Sequence, residues 1–409
     1  MLSFILAACA SADLEAPASR RDALIAEVSS WTLASTQGPT VRDSPAIAFD
    51  SARSLVVLFG GYDGVNSLSD TWVWNGTSWS SRPSGMLTAR TGACAAFDSN
   101  RNVVVLFGGW AAGYLSETWE WNGTTWTRRT PLTSPPARAG AVMAFDVARG
   151  VTVLTGGFDG AARYGDTWEW NGSNWALLPA TVAPVRTTAA ATYDRGRSRV
   201  VLFGGYNPSG AMQDTLEYDG TSWTPRTPVT VPPRRMGHSL AYDVVRGVSV
   251  MFGGFDGLGG YRQDTWEWNG LDWVARMTPM LPSARDSYGL AWDPIRNVTV
   301  MFGGRAPSGA QLADTWVLSV LRTNNSDCTL PQQCLSGVCV GLVCRAPDAG
   351  VVDAGVVVDA GVVDAGVVDA GVVDAGVVVD AGVVDAGVVV DAGVVDAGVV
   401  DAGVVDAGV

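Results

Sequence analysis

A short apolar run that ends in a double glycine recurs six times along the chain. The second copy shows the run as Val103–Phe107, followed by Gly108 and Gly109. A continuous apolar run of this length, bounded by turn residues, is typical of a strand buried on both faces. The double glycines begin at Gly60, Gly108, Gly156, Gly204, Gly253 and Gly303, with spacings of 48, 48, 48, 49 and 50 residues. A period near 50 residues indicates a repeat architecture.

Three further strand-like segments complete each copy. In the second copy, residues 90–98 are rich in small side chains, and a polar turn at 98–101 joins them to the apolar run. Residues 118–121 alternate, so that two tryptophans lie on one face and Glu120 on the other. The Asn-Gly pair at 122–123 is a strong hairpin signal and leads to a fourth strand at Trp126. Each copy therefore predicts a four-stranded antiparallel sheet.

The predicted fold is all-β, a six-bladed β-propeller, because such sheets bury both faces only by stacking on one another around a ring. The sixth copy ends near residue 320 without the hairpin and the fourth-strand tryptophan. Trp31 precedes the first copy and lies 11 residues before Arg42, just as Trp79 lies 11 residues before Arg90. We therefore predict that residues 30–34 form the fourth strand of the last blade and close the ring.

These features resemble the kelch-repeat β-propeller family: a double glycine after an apolar strand, then Asp-Thr-Trp, then a second tryptophan on the last strand. The resemblance covers about 290 residues, from 29 to 322, and the fourth copy departs from it with Asp-Thr-Leu-Glu-Tyr at 214–218. It implies a protein adaptor. The implied binding face is formed by the loops before the innermost strands and the loops after the double glycines, where arginines contact acidic peptides.

Ten residues are candidate ligand contacts. One arginine opens the innermost strand of every blade, and each of these arginines either contacts a carboxylate ligand or pairs with an aspartate of a neighbouring blade. The loops after the double glycines differ between blades, and their large side chains have the composition of interaction hot spots. The candidates are Arg42, Arg90, Arg138, Arg186, Arg235 and Arg285 from the strands, with Trp110, Tyr164, Tyr261 and Arg305 from the loops.

The remaining residues with possible chemistry receive structural interpretations. The repeated tryptophans are predicted core residues, and the glutamates of the third strands are predicted to lie on a solvated face: Glu120, Glu169, Glu217 and Glu267. His238 is interpreted as a structural residue and Cys94 as a buried free thiol. We expect no catalytic residue, no metal site and no cofactor.

Charge and composition narrow the function classes. The formal charge is -13, but 12 of the 40 acidic residues lie in the tail from Asp348 onward, which leaves 28 acids against 27 arginines. A nearly neutral body does not indicate a nucleic-acid partner, since phosphate binding needs a surplus of positive charge. The chain has no lysine and one histidine, which excludes a Schiff-base lysine and a cluster of histidine metal ligands.

The segments outside the ring suggest export. Residues 1–9 resemble a bacterial lipobox with Cys9 as the lipidated residue, although a plain secretory signal or a misassigned start is the alternative. Residues 10–28 are predicted to be a tether. Residues 323–346 contain Cys328, Cys334, Cys339 and Cys344, which favour two disulfides in one of three pairings over a zinc site. They resemble cysteine-rich segments of myxobacterial secreted proteins and lipoproteins. Residues 347–409 repeat Asp-Ala-Gly-Val-Val and predict a flexible spacer.

Together these patterns predict a non-enzymatic binding module of a Gram-negative cell envelope. We expect an exported monomer, anchored to the outer membrane by a lipid or present at the cell surface or in the periplasm. It would recognise a protein or a polysaccharide through one face of the ring. The alternatives are a structural surface spacer and a hydrolase or lyase that acts on glycans.

Overall fold

The computed structural model describes residues 28–178 and 183–321, together with four two-residue strands further along the chain. Within these ranges every regular element is a strand. The strands of residues 28–321 form six four-stranded antiparallel sheets, which are the blades of a β-propeller. The innermost strands contact one another in succession around the ring, and the innermost strand of the sixth blade returns to that of the first. The predicted six-bladed propeller is confirmed.

Blades 1 to 5 use strands in chain order from the axis outward. Blade 1 contains β2 (Ala46–Asp50), β3 (Leu55–Phe59), β4 (Thr71–Trp74) and β5 (Trp79–Arg82). Blade 2 contains β6 (Cys94–Asp98), β7 (Val103–Phe107), β8 (Thr118–Trp121) and β9 (Trp126–Arg129). Blade 3 contains β10 (Ala139–Asp146), β11 (Val151–Phe158), β12 (Thr167–Trp170) and β13 (Trp175–Leu177).

Blade 4 carries an added hairpin, and blade 5 has longer middle strands. Blade 4 contains β14 (Ala190–Asp194), β15 (Arg199–Phe203), β18 (Thr215–Tyr218) and β19 (Trp223–Arg226), and its hairpin contains β16 (Tyr206–Asn207) and β17 (Gly210–Ala211). Blade 5 contains β20 (Ser239–Asp243), β21 (Val248–Phe255), β22 (Tyr261–Trp268) and β23 (Trp273–Arg276).

Blade 6 is built from both ends of the described ring. Its inner strands are β24 (Gly289–Asp293), β25 (Val298–Phe302) and β26 (Thr315–Leu321), and its outer strand is β1 (Val28–Ser35). Strand β1 pairs antiparallel with β26, so that Trp31 lies opposite Leu318. The prediction that residues 30–34 complete the last blade is confirmed.

The core consists of layers between neighbouring blades. One layer joins Val57 and Phe59 of blade 1 to Leu106, Trp121 and Trp126 of blade 2. Strand β7 is buried along its whole length, as its continuous apolar run predicts. Most of the repeated tryptophans lie in such layers, which confirms their predicted core role. Since burying one large apolar side chain stabilises a fold by roughly 1.5–3 kcal/mol, the layers hold the blades together.

A circle of side-chain hydrogen bonds links the outer strands. In every blade the fourth-strand tryptophan donates its indole N–H to a threonine hydroxyl at the start of the third strand of the preceding blade. The six bonds measure 2.8 to 3.0 Å: Trp31–Thr265, Trp79–Thr315, Trp126–Thr71, Trp175–Thr118, Trp223–Thr167 and Trp273–Thr215. A buried indole donor needs a partner, so these bonds fix the angle between blades.

A second circle, made of backbone, links the entrances of the inner strands. One residue per blade donates its N–H to the carbonyl of its counterpart in the preceding blade, and the last bond returns to the first blade. The circle runs through Ser44, Gly92, Gly140, Thr188, Gly237 and Ser287, with N···O distances of 2.6 to 3.0 Å. All six residues have φ between 52° and 67°. Three of the six are not glycine, although the left-handed conformation disfavours side chains. We call these residues the αL circle.

The third-strand glutamates are not solvated, so that expectation is wrong. Glu120, Glu217 and Glu267 are buried, and each accepts from an arginine at the inner turn of its own blade and from one on its fourth strand. Glu169 is partly buried and accepts from Arg149 and from the Tyr218 hydroxyl. Alternation separates the two faces of a strand, but a propeller blade has a neighbour on both faces. The face opposite the tryptophans is therefore interior.

Residues 323–409 form a separate unit. In it, β27 (Cys339–Val340) pairs with β28 (Val343–Cys344), and β29 (Val358–Asp359) pairs with β30 (Val362–Val363). The predicted lipobox at 1–9, most of the tether, the disulfides and the spacer character of the tail lie outside the described residues. Within the described ranges, no helix has the length and apolarity of a membrane span.

Removal of β1 tests ring closure. A chain that lacks residues 1–35 loses β1 with its buried Trp31, and we expect its free energy of unfolding to fall by more than about 3 kcal/mol, the lower range for deleting a core tryptophan. A chain that lacks only residues 1–27 keeps β1 and serves as the control. Chemical denaturation of both proteins provides the measurement, and equal stabilities would contradict closure by β1.

Two glycine substitutions test the αL circle. Gly140→Ala places a Cβ 2.5 Å from the Thr187 hydroxyl, whereas Gly85→Ala, at a similar positive φ, meets nothing within 4 Å. Both variants carry the left-handed penalty of roughly 1–2 kcal/mol. We expect Gly140→Ala to lose at least about 1 kcal/mol more than Gly85→Ala, since overpacking adds to the penalty. Similar losses in urea denaturation would show that the circle tolerates a side chain at this position.

Candidate functional site

One face of the ring is formed by the six loops that follow the double glycines. These loops comprise residues 62–68, 110–115, 158–164, 206–212, 255–261 and 305–312, and we call this side the loop face. The first residue of each loop pairs through its backbone with the residue that follows the strand-opening arginine. The pairs are Asp43–Tyr62, Thr91–Trp110, Ala139–Phe158, Thr187–Tyr206, Met236–Phe255 and Asp286–Arg305.

The six strand-opening arginines lie inside the blades. Their side chains are at most 1% exposed, and each pairs with the acidic residue that precedes the third strand of the same blade. The closest N···O distances are 2.6 to 2.8 Å for Arg42–Asp70, Arg90–Glu117, Arg138–Asp166, Arg186–Asp214, Arg235–Asp264 and Arg285–Asp314. Each Nη1 also donates to the carbonyl of the first glycine of the double glycine. Each guanidinium thus joins three segments of one blade.

This placement removes the six arginines from the set of ligand contacts. Their partners lie in the same blade, not in the neighbouring blade. Burial by itself would raise the pKa of Asp70, but the hydrogen bonds and charge of Arg42, with the Trp72 indole, lower it below its ordinary value. The acid that precedes every third strand, 27 to 29 residues after the arginine, is the sequence signal for this pairing.

The loop face contains a pocket of about 770 Å³ where blades 6, 1 and 2 meet. Its lining combines hydroxyl, carboxamide, carboxylate and guanidinium groups with two aromatic rings. We call it the blade 1 pocket; it is lined by Asp43, Ser44, Tyr62, Val65, Asn66, Ser67, Ala89, Thr91, Trp110, Ala111, Ala112, Arg305 and Gln311. Two of the sequence-predicted contacts, Trp110 and Arg305, lie here.

The charged groups of the pocket are held by neighbours from both sides of the ring closure. Asp43 is 8% exposed and accepts hydrogen bonds from the Ser44 hydroxyl at 2.9 Å and from Gln311 Nε2 at 3.0 Å. Arg305 donates to both carboxylate oxygens of buried Asp286, at 3.2 and 2.8 Å. Burial raises the pKa of Asp286, and Arg305 offsets this only in part. The hydrogen bond to Asp286 raises the pKa of Arg305, so the guanidinium stays charged.

The aromatic wall of the pocket is exposed and its loops are internally braced. Trp110 is 41% exposed, unlike the buried tryptophans of the core. The Tyr62 hydroxyl donates to the Gly64 carbonyl at 3.1 Å. Asp63 Oδ1 accepts the backbone N–H groups of Asn66 and Val65 at 2.7 and 2.8 Å, and these bonds lower the pKa of Asp63. The pocket walls are therefore set before a ligand arrives.

The two other predicted contacts lie away from this pocket. The Tyr164 ring lies 3.8 Å from the Arg138 guanidinium, and its hydroxyl donates to Asp159 at 2.6 Å. Tyr261 packs on Phe255 with ring centroids 4.8 Å apart. Sequence reasoning missed Asp43, Tyr62 and Gln311. Asp43 stands where blades 2 to 5 have threonine, alanine or methionine and blade 6 has Asp286, and this departure from the repeat in the first and last blades was the available signal.

A second cavity lies on the axis of the ring, and two side chains with possible reactivity are buried. A cavity of about 320 Å³ on the axis is lined by the inner strands, mostly with apolar side chains. Burial lowers the pKa of His238 to about 3, so its imidazole is neutral near pH 7. Cys94 is a buried free thiol, as predicted, and burial raises its pKa to about 12. Neither group is prepared to act as a base or a nucleophile at neutral pH.

Substitution of a buried arginine tests the pairing. Arg186→Ala leaves the Asp214 carboxylate and the buried Gly204 carbonyl without their donor, so we expect a loss of about 1–3 kcal/mol, typical of a buried acceptor left unpaired. Arg195→Ala is the control, since Arg195 is exposed at an inner turn, and should change stability by less than about 0.5 kcal/mol. Equal urea midpoints for the two variants would contradict the structural role.

Comparisons with protein-family models and with curated proteins found no match to this chain. The six four-stranded sheets and their closure by an N-terminal strand are consistent with a kelch-type propeller. The structure thus establishes the propeller.

Proposed function

We propose that the protein is a non-enzymatic binding module that holds its ligand in the blade 1 pocket. The observation that carries this proposal is the departure of blades 6, 1 and 2 from the repeat. Residues that recur in all six blades form the ion pairs and layers described above, and such residues serve the blade. Trp110 and Arg305 each occur once at the first loop position, and Asp43 shares its position only with Asp286 of blade 6. The fold gathers Asp43, Trp110 and Arg305 with Gln311 around one open pocket. Loops on a rigid scaffold are the common place for binding residues.

Binding is favoured over catalysis by the state of the reactive groups. The thiol of Cys94 and the imidazole of His238 are buried and electrically neutral near pH 7. The carboxylates beside the pocket already accept hydrogen bonds from Gln311 and Arg305. The β-propeller is a frequent interaction scaffold, but the fold alone does not decide the function. The pocket chemistry is the stronger support.

The direction of the strands fits attachment to a surface. Strand β26 starts at Thr315, next to the loop face, and ends at Leu321 on the opposite side, where β1 begins at Val28. The two ends of the described ring, Val28 and Leu321, therefore lie on the side away from the blade 1 pocket. An anchor at Cys9 would leave the loop face free to meet a partner. We place this kelch-type propeller, as a monomeric lipoprotein resembling those of myxobacteria, in a Gram-negative envelope, with a protein or polysaccharide of that envelope as its partner.

A binding experiment with paired variants tests the proposal. The immobilised full chain is exposed to a Gram-negative envelope extract, and retained material is identified by mass spectrometry and sugar analysis. The test variant is Asp43→Ala with Trp110→Ala. The control is Leu258→Ala, which removes an 81% exposed side chain from the loop face of blade 5.

We expect one dominant partner on the wild type and on Leu258→Ala, with at least tenfold less on the double variant. Loss of two central contacts of a binding site commonly has this effect, because each hot-spot residue contributes more than about 1 kcal/mol. Equal retention by all three proteins, or retention by none, would contradict a binding role for the pocket and would favour a structural spacer.

A further inference from the structure

The blade 1 pocket has almost balanced charge. Within the described part of the chain, its lining has one carboxylate, Asp43, and one cation, Arg305. Arg305 is already paired with Asp286, which lies behind it and is buried. Asp43 accepts hydrogen bonds from the Ser44 hydroxyl and from Gln311, and Arg305 is neutralised by Asp286, so neither group needs a ligand of opposite charge. Since desolvating an uncompensated charge is unfavourable, the pocket suits a ligand without formal charge.

The uncharged lining groups suit a ligand rich in hydroxyls. Asn66 and Gln311 are carboxamides that can both donate and accept, and Ser67 and Thr91 supply hydroxyls that do the same. The Asp43 carboxylate has about four acceptor positions, of which the Ser44 hydroxyl and Gln311 use two. Planar carboxylate and amide groups held side by side can bond two adjacent hydroxyls of one ring. An apolar ligand would leave these groups unpaired.

The aromatic side chains of the pocket can contact the apolar faces of the same ligand. Trp110 and Tyr62 line the pocket beside these polar groups, and Trp110 exposes 41% of its surface. A sugar ring has hydroxyls along its edge and C–H groups on its faces, so it can pack flat on an aromatic ring while its edge bonds polar groups. Aromatic residues favour such sites, where one side is apolar and the other is wet.

The size and rigidity of the pocket agree with this ligand. Its volume of about 770 Å³ lies within the range of about 300–1,000 Å³ usual for small-molecule sites. Backbone pairs Tyr62–Ser67, Trp110–Tyr114 and Arg305–Gln311 close the three surrounding loops on themselves. Loops that are ordered beforehand lose little conformational entropy on binding.

We infer that the blade 1 pocket binds an uncharged sugar residue, which packs on Trp110 and donates adjacent hydroxyls to Asp43 while accepting from Gln311. The inference rests on the proposed function and names its ligand class. The sugar belongs either to an envelope polysaccharide or to a glycan carried by a protein, since the ring chemistry is the same in both.

Calorimetric titration of the full chain tests the ligand class. The neutral probes are cellotetraose, maltotetraose, mannotetraose and tetra-N-acetylchitotetraose, and the charged probes are tetragalacturonate and tetralysine. We expect at least one neutral probe to bind with a dissociation constant in the micromolar to millimolar range. Trp110→Leu and Asp43→Asn should each weaken this binding at least tenfold. The control Tyr206→Leu removes an aromatic ring at the equivalent loop position of blade 4 and should leave the binding unchanged.

Binding of a charged probe without any neutral probe would overturn the inference, as would an absence of binding to all six probes. Equal weakening by Tyr206→Leu would overturn the assignment to this pocket. In these cases an envelope partner lost with Asp43 and Trp110 would still support the proposed function. The two sources separate when binding of deproteinised envelope polysaccharide is compared with binding of envelope protein before and after enzymatic deglycosylation. Retained binding to the deglycosylated protein alone would overturn the sugar assignment.

Discussion

The six inner strands of this protein begin at a closed circle of backbone hydrogen bonds, and the stability of every blade depends on that circle. Each member donates to the blade before it and accepts from the blade after it, from Ser44 through Ser287 and back. The left-handed backbone is unfavourable for Ser44, Thr188 and Ser287. It persists because leaving a backbone amide unpaired inside the ring would be comparably unfavourable. The tryptophan-to-threonine hydrogen bonds likewise connect neighbouring blades at the outer strands.

Ring closure also explains where the charges lie. A blade with a neighbour on each side has no solvated face, so its charged side chains must be paired internally. One arginine-acid pair ties the inner strand, the double glycine and the third strand within each blade. Glutamates between blades, such as Glu217, accept from arginines of their own blade and from Trp268 of the next. The loops that follow the double glycines do not take part in these ion pairs, so their sequences can differ between blades. The blade 1 pocket is formed by loops that differ in this way.

Local patterns predicted the strands, the blade count and the closing strand, because apolar runs, Asn-Gly turns and the register of Trp31 act over a few residues. Local patterns did not predict burial correctly where a strand face is covered by a distant part of the chain. Alternation placed Glu120 opposite the tryptophans but could not show that another blade lies there. The αL circle could not be predicted, because half of its members are serine or threonine and not the glycine that a left-handed backbone usually indicates. The pocket was hidden because Asp43 and Gln311 are 268 residues apart in sequence and meet only through closure.

Native-state hydrogen exchange of the six αL-circle amides tests the closed ring most directly. Amides that open only on global unfolding exchange with the free energy of the whole domain, whereas locally opened amides exchange faster. The Ser44 amide donates to the Ser287 carbonyl across the junction of the first and last blades. The structure predicts that this amide is protected as strongly as the amides of Gly92, Gly140, Thr188, Gly237 and Ser287. Rapid exchange at Ser44 with slow exchange at the other five would show a ring that is open between blades 6 and 1, and would contradict the account.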